Sequence, residues 1–367
     1  MKRSIGWRLL AALLALAVIA AACGSDDDEA TETDGGSSDT TAAAEEAETD
    51  EASEADESGD TEEAAASGDR ADWPTKLVYG AVPAENAEDI STYVTPQIIA
   101  DELGVEIEFI QAADYAGVIE GMVAEKVDIG GFGAFSYVIA TGAGADIDVA
   151  GLWSSETPDG YGDYRSYLLT QADNDEINGI ADLAGKKVCF VDPGSTSGFL
   201  FPSAGLLAIG LDPGETSTDI EPTFAGGHDA SAIAVANGDC DAGFAYDTMV
   251  TTQLIDSGDL AGVVDTVEDE NVNADSADVK IIWKSTPIAA PPLAVGNWLP
   301  ESMRAEITDI VTNKVNVDWA VENGYCDDAE TCPLADGPFW GYLEGDDSYF
   351  DGIRELCDVT GSAKCQG

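Results

Sequence analysis

The stretch Val191-Asp-Pro-Gly-Ser-Thr-Ser-Gly-Phe-Leu-Phe-Pro-Ser-Ala-Gly205 reads as a strand that ends in a small, hydroxyl-rich turn and opens a helix. A second unit of the same kind follows at Gly226-Gly-His228-Asp-Ala-Ser-Ala-Ile-Ala-Val-Ala-Asn-Gly238, and it carries the only histidine of the chain. The first turn of a helix leaves backbone amides unpaired, and with the helix dipole these form a ready anion site. Two such turns facing one cleft are suited to holding an oxyanion.

Working outward, short apolar strands alternate with helical patterns on both sides. Strands are predicted over 77–81, 105–109, 127–131 and 147–152, with helices over 91–103, 114–125 and 135–140. In the second of these helices Val118, Met122 and Val123 share one face, as a 3.6-residue period requires. Beyond 167–169 the pattern resumes: strand 187–191, helices 196–209 and 229–237, strand 241–246, helix 248–255, and a last long helix over 300–317. Such alternation predicts an α/β fold of mixed, mostly parallel sheets flanked by helices, with ligands held beyond the carboxyl ends of the strands. Both hydroxyl-rich turns lie at ends of that kind.

Two segments read as crossings between lobes, Tyr164-Arg-Ser-Tyr-Leu-Leu-Thr170 and Val279-Lys-Ile-Ile-Trp-Lys-Ser-Thr-Pro287. They divide the folded part into a first lobe over 73–166, a second over 167–282, and a return to the first over 283–367 that includes an aromatic tail. Two lobes joined by two extended strands make a hinge, and the cleft between them encloses a small ligand.

The N-terminus has Lys2, Arg3 and Arg8 ahead of an apolar run over 9–22, which is an export signal over 1–22 rather than a spanning helix. From 23 to 72 follows an acidic tether with no aromatic or large aliphatic residue. It is predicted to be disordered, because it cannot bury enough apolar surface to offset its ordering entropy, and its like charges extend it. This segment holds more than a quarter of the acidic residues behind the formal charge of -57. The remainder is still acidic, which argues against nucleic acid and anionic lipid as partners, since both demand Lys and Arg. An acidic, lysine-poor surface fits adaptation to salty surroundings, and simple compositional drift accounts for it equally well.

Six cysteines follow Cys23, an even number in an exported chain, and disulfides are the expectation. Cys326 and Cys332, and Cys357 and Cys365, are close enough in sequence to close small loops; Cys189 and Cys240 remain, on strands that are candidates for neighbours in one sheet. A single histidine and these spacings supply no zinc set.

Several of these stretches resemble known patterns. Ile19-Ala-Ala-Ala-Cys23 resembles the lipobox of bacterial lipoproteins, implying cleavage before Cys23 and lipid attachment there. Asp114-Tyr-Ala-Gly-Val-Ile-Glu-Gly-Met, Asp128-Ile-Gly-Gly-Phe-Gly with Phe135-Ser-Tyr-Val138, Asp192-Pro-Gly-Ser-Thr-Ser-Gly198, His228-Asp-Ala with Ala234-Val-Ala-Asn-Gly238, and Ile282-Trp-Lys-Ser285 fall in order. Together they resemble the periplasmic phosphonate and phosphite substrate-binding proteins of ABC transporters, which have the two-lobed type II fold. The resemblance implies Tyr115 and Tyr137 as ligand residues from the first lobe, with Ser136 as a further candidate beside Tyr137. It implies Ser195, Thr196, Ser197 and His228 from the second. Asp247 is a further candidate, in the role that carboxylates play against the ammonium of amino-phosphonates. No cofactor is implied; the partners are a small phosphorus oxyanion, a permease with its ATPase, and the membrane through the lipid on Cys23. The protein is then a monomer on the extracytoplasmic face of the cell membrane.

Two other classes stay in view. A sensor would use the same cleft without a transporter. A Ser/His hydrolase is disfavoured because Gly194-Ser-Thr-Ser-Gly198 puts Thr196 where a nucleophile elbow has serine, and because Asp229 directly follows His228 and is badly placed to orient its ring.

Overall fold

A computed structural model describes residues 70–84, 89–154, 164–335 and 339–366. The predicted export signal, Cys23 and all but the last residues of the predicted acidic tether lie outside the described residues. The described residues form two six-stranded sheets.

The first sheet is built from β1 (Lys76–Ala81), β2 (Glu106–Ile110), β3 (Ile129–Gly131) and β4 (Ile147–Ser154). The chain then enters the second sheet with β5 (Ser166–Gln171), β6 (Lys187–Phe190), β7 (Glu221–Phe224), β8 (Ala242–Tyr246), β9 (Val263–Asp265) and β10 (Val279–Lys284). It returns to the first with β11 (Pro292–Gly296) and β12 (Gly341–Leu343). The strand orders are β12-β4-β11-β3-β1-β2 and β7-β6-β8-β5-β10-β9. Among the described residues five pairings are parallel and five antiparallel, so the sheets are mixed without the expected parallel majority. The antiparallel pairings involve β5, β10, β11 and β12, the strands that cross between lobes or return from the second to the first.

Five helices bear on the site: α1 (Val94–Leu103), α2 (Tyr115–Val123), α3 (Ala134–Gly142), α4 (Phe201–Ala208) and α5 (His228–Ala236). Local chemistry starts them. Asp114 caps α2 by accepting from Gly117 N at 2.9 Å, and Ser195 accepts from Gly198 N at 3.0 Å, each satisfying an orphan amide. Residues Thr196–Leu200 form a π-helical turn ahead of α4, a geometry that recurs at functional sites. Each sheet is covered on both faces. Leu77, Ile129 and Val295 pack with α1 and the helix Glu301–Asn313, while Val118, Met122 and Phe135 fill the other side. In the second lobe α5 covers one face with Val235 and Ala232, and Leu206 of α4 meets Phe190 and Phe244 on the other.

Four strands were not foreseen: β7, β9, β11 and β12. β7 is a four-residue edge strand containing Pro222, tolerated only at an edge. β11 is fully buried, and it begins with prolines and lacks polar alternation, so it reads as an apolar loop until two neighbours claim it. The crossings run side by side: β5 pairs antiparallel with β10, and Ile288 N donates to Tyr164 O at 2.9 Å. Cys189 is bonded to Cys240, Cys326 to Cys332 and Cys357 to Cys365. The first joins adjacent strands, β6 being parallel to β8, and its 51-residue separation corresponds to about 4 kcal/mol of loop-closure stabilisation in the chain-entropy account.

Candidate functional site: a cleft between the lobes

A cavity of about 150 Å³ opens between the lobes, well below the size that holds drug-like molecules and suited to a small ion. The second lobe contributes Ser195, Thr196, Ser197, His228, Tyr246 and Thr248; the first contributes Tyr79, Tyr93, Tyr115, Phe132, Trp153, Pro291, Pro292 and Tyr342 among others. Tyr164, on the first crossing, joins them. No Lys, Arg, Asp or Glu is among the described residues that line it. Any negative guest is therefore met by neutral dipoles.

The hydroxyl turn is buried: Ser195, Thr196 and Ser197 are each at most 2% exposed. Thr196 and Ser197 lead the helical turn that follows, where backbone amides have no acceptor within the helix itself. Ser195 Oγ lies 3.4 Å from His228 Nε2. On the other side of the imidazole, Tyr246 N donates to Nδ1 at 3.2 Å. Nδ1 is thus an acceptor, and the neutral ring carries its proton on Nε2, toward the turn. Burial pushes the His228 pKa down to about 3, because desolvation disfavours the imidazolium. A second donor at Nδ1 would also collide with the Tyr246 amide. The ring is locked edge-on against Tyr246, with centroids 4.7 Å apart.

The hydroxyl of Tyr164 meets Thr196 and Ser197, and burial raises its pKa, so the phenol stays protonated. Tyr164 was not among the residues foreseen as site residues. In the sequence it reads only as the start of a crossing, and nothing local says that its ring turns into the cleft.

Both lobes also touch directly. Phe135 N, in the first turn of α3, donates to Thr196 Oγ1 at 2.9 Å, and His228 N, at the start of α5, donates to Ala84 O at 2.8 Å. The approach needs Gly133: a Cβ there would stand 3.0 Å from Thr196 Oγ1. The second turn accordingly brings its imidazole to the cleft, while its leading amide is engaged by the other lobe. That corrects the expectation of two equivalent amide cradles.

Of the residues foreseen, Tyr115, Ser195, Thr196, Ser197 and His228 come together around the cavity. Tyr137 does not. It is completely buried within α3, its hydroxyl donates to Asp347 Oδ1 at 3.1 Å, and its ring lies 4.8 Å from that of Phe350. Ser136 turns back on Gly133 O at 3.0 Å. The N-terminus of α3 faces the cleft, but the rotation of the helix aims these two side chains elsewhere. Asp247 also stands outside the lining. Its Oδ2 accepts from Arg165 N and its Oδ1 from Thr248 N, both at 2.9 Å, which ties the end of β8 to the crossing. Burial raises its pKa to about 6.

Two α/β lobes hinged on paired crossings, closing on a donor-rich cavity whose described lining carries no cationic side chain, define a type II periplasmic binding protein. The chain belongs to the ABC-transporter family of phosphonate periplasmic substrate-binding proteins, whose profile matches residues 79–314. It is 43% identical over 301 residues to the phosphate-import protein PhnD of Mycolicibacterium smegmatis, covering 80% of this chain and 89% of that one. Against the phosphonates-binding periplasmic protein of Escherichia coli it is 31% identical over 246 residues, 65% of each chain. Two crystal structures share the fold with a TM-score of 0.61 each: a binding protein component of a Pseudomonas aeruginosa phosphonate transporter, and Prochlorococcus marinus PhnD1 in complex with methylphosphonate. The first is 22% identical and aligned over 79% of this chain and 87% of its own; the second is 17% identical over 78% and 99%. The family is one of extracytoplasmic substrate-binding proteins, not of enzymes.

Proposed function

We propose that this chain is a lipid-anchored, monomeric binding protein that closes over a small phosphorus oxyanion, phosphite, a short phosphonate or phosphate, and hands it to a membrane permease and its ATPase. The observation that carries the reading is the turn Ser195–Ser197 facing the protonated Nε2 of His228, with the Tyr164 hydroxyl beside it. These neutral donors converge as a tetrahedral oxyanion requires, and bonds to an ionised acceptor are the strong ones. Tyr115 approaches from the other lobe. The M. smegmatis relative is named for phosphate import and the P. marinus structure holds methylphosphonate, in keeping with this size of guest. No cofactor enters the scheme.

Catalysis is not part of the reading. With the proton on Nε2, His228 has no lone pair to take one from Ser195, and its Nδ1 is held by an amide rather than by a carboxylate. The N-terminal segment fits the same picture: a signal over 1–22, lipid on Cys23, and the acidic stretch as a tether that lets the lobes, divided at 166/167 and 282/283, reach the transporter. Titration calorimetry with phosphite, hypophosphite, phosphate, methylphosphonate and aminoethylphosphonate tests the ligand class. Because no carboxylate lines the described cleft, aminoethylphosphonate is expected to bind at least about tenfold more weakly than methylphosphonate, its ammonium having no ionised partner. No binding by any of the five would overturn the reading.

A further inference from the structure

Asp192 stands at the foot of the oxyanion turn and is absent from the lining of the cavity. Its Oδ1 accepts from Gly194 N at 2.7 Å, which shapes the turn. Its carboxylate also accepts the backbone N–H of Tyr115, the first residue of α2 in the opposite lobe. The two elements are in contact there, since a Cβ on Gly194 would lie 3.4 Å from Tyr115 Cβ. A carboxylate at a helix N-terminus is a stabilising cap, normally supplied by the helix's own flank. On α2 Asp114 plays that part for Gly117 N, and Asp192 adds a second carboxylate, for the Tyr115 amide, from across the cleft.

The same exchange occurs twice more. Thr196 Oγ1 of the second lobe takes the Phe135 amide of α3, and Ala84 O of the first lobe takes the His228 amide of α5. Three helices that point at the cleft thus have an N-terminal amide satisfied by the other lobe, and such bonds exist only while the lobes are closed. We infer that these three trans-caps form a latch that favours closure before any guest arrives, and that Asp192 is a positioning residue of the binding site. It fixes the Ser195–Ser197 turn in one lobe and Tyr115 in the other without touching the guest. Part of the closing free energy is then built into the protein, and the guest completes it.

The ligand arm of the test rests on the oxyanion reading; the ligand-free arm does not. A carboxylate that were a bystander near an anionic guest would repel it, so Asp192→Asn would tighten binding. The latch gives the opposite sign. Asn keeps an oxygen for Gly194 N but loses the charge and the second acceptor, and the affinity for phosphite or methylphosphonate is expected to fall about tenfold. In the ligand-free protein, residue-resolved hydrogen exchange is expected to find the Tyr115, Phe135 and His228 amides protected in the native chain and all three exposed together in Asp192→Asn. Gly133→Ala, whose new methyl pushes on Thr196 Oγ1, is expected to expose the same set without altering Asp192. Equal or tighter binding by Asp192→Asn, or unchanged protection of Phe135 and His228 in both variants, would overturn the latch. Cooperative exposure of the amides with no phosphorus acid bound by any form would uphold the latch and sink the ligand reading alone.

Discussion

The second lobe offers the cleft Ser195, Thr196, Ser197 and His228, whereas the first offers mainly rings and prolines: Tyr79, Tyr93, Trp153, Pro291 and Pro292. One wall donates hydrogen bonds from a helix start. On the proposed reading the other mainly covers the face of the guest that accepts none. The difference has a physical lesson, since with no cationic side chain among the described lining residues a guest gains nothing there from charge alone. The site's selectivity, on that reading, comes from fixed dipoles in a place where water is excluded, because a buried donor left without its acceptor is costly. The acidic exterior is no obstacle, being screened beyond about 10 Å while the donors act at contact.

The sharpest way to break this contrast is to strip the donating wall. Replacing Ser195, Thr196 and Ser197 together by Ala, Val and Ala is expected to weaken phosphite or methylphosphonate binding at least about a hundredfold by calorimetry, and His228→Ala alone by roughly tenfold, since each leaves an ionised acceptor unpaired. The next comparison sets two buried tyrosines against each other. Tyr164→Phe, which removes a hydroxyl from the turn, should cost about tenfold in affinity. Tyr137→Phe, which loses only its bond to Asp347, should leave affinity within about twofold and lower stability by about 1 kcal/mol. Equal effects on binding would erase the distinction between cleft and core. On the shielding wall, Trp153→Ala is expected to weaken methylphosphonate only a few-fold more than phosphite, the loss scaling with the apolar area uncovered.

The smallest signal lies in pH. His228 has its folded pKa depressed to about 3, so below its unfolded value near 6.5 the unfolded chain binds more protons and stability falls as the medium acidifies. Asp247 has its folded pKa raised to about 6, so between 6 and its unfolded value near 4 the folded chain binds more protons and stability rises on acidification. The two oppose each other. Denaturant titrations of the native protein at pH 7 and pH 5 should differ little on their account. Asp247→Asn should uncover a fall of about 2 kcal/mol, and His228→Gln a rise of about 1 kcal/mol. The same slope in both variants would mean that neither group titrates as its surroundings dictate.

Much of this architecture is legible before folding is considered. The alternation of strands and helices, the crossings at Tyr164 and Val279 and the capped turn at Ser195 follow from local periodicity and capping chemistry, while spacing offers the cysteine pairs only as candidates. The misreadings have one cause. Tyr137 and Tyr164 are both tyrosines near motif residues, and which of them meets the cleft depends on rotation about α3 and on contact with Phe350, more than two hundred residues away. β11 likewise becomes a strand only because β3 and β4 lie ready on either side of it.

By itself, then, the sequence determined the two-lobed α/β plan and a neutral, hydroxyl-rich turn at a helix start, because these rest on interactions between residues near one another in the chain. Tertiary structure alone decided which aromatic hydroxyl joins that turn, on which nitrogen His228 carries its proton, and that Asp192 caps a helix of the opposite lobe. Those outcomes depend on groups brought within 3 to 4 Å of each other only by packing, and no local pattern encodes such a distance.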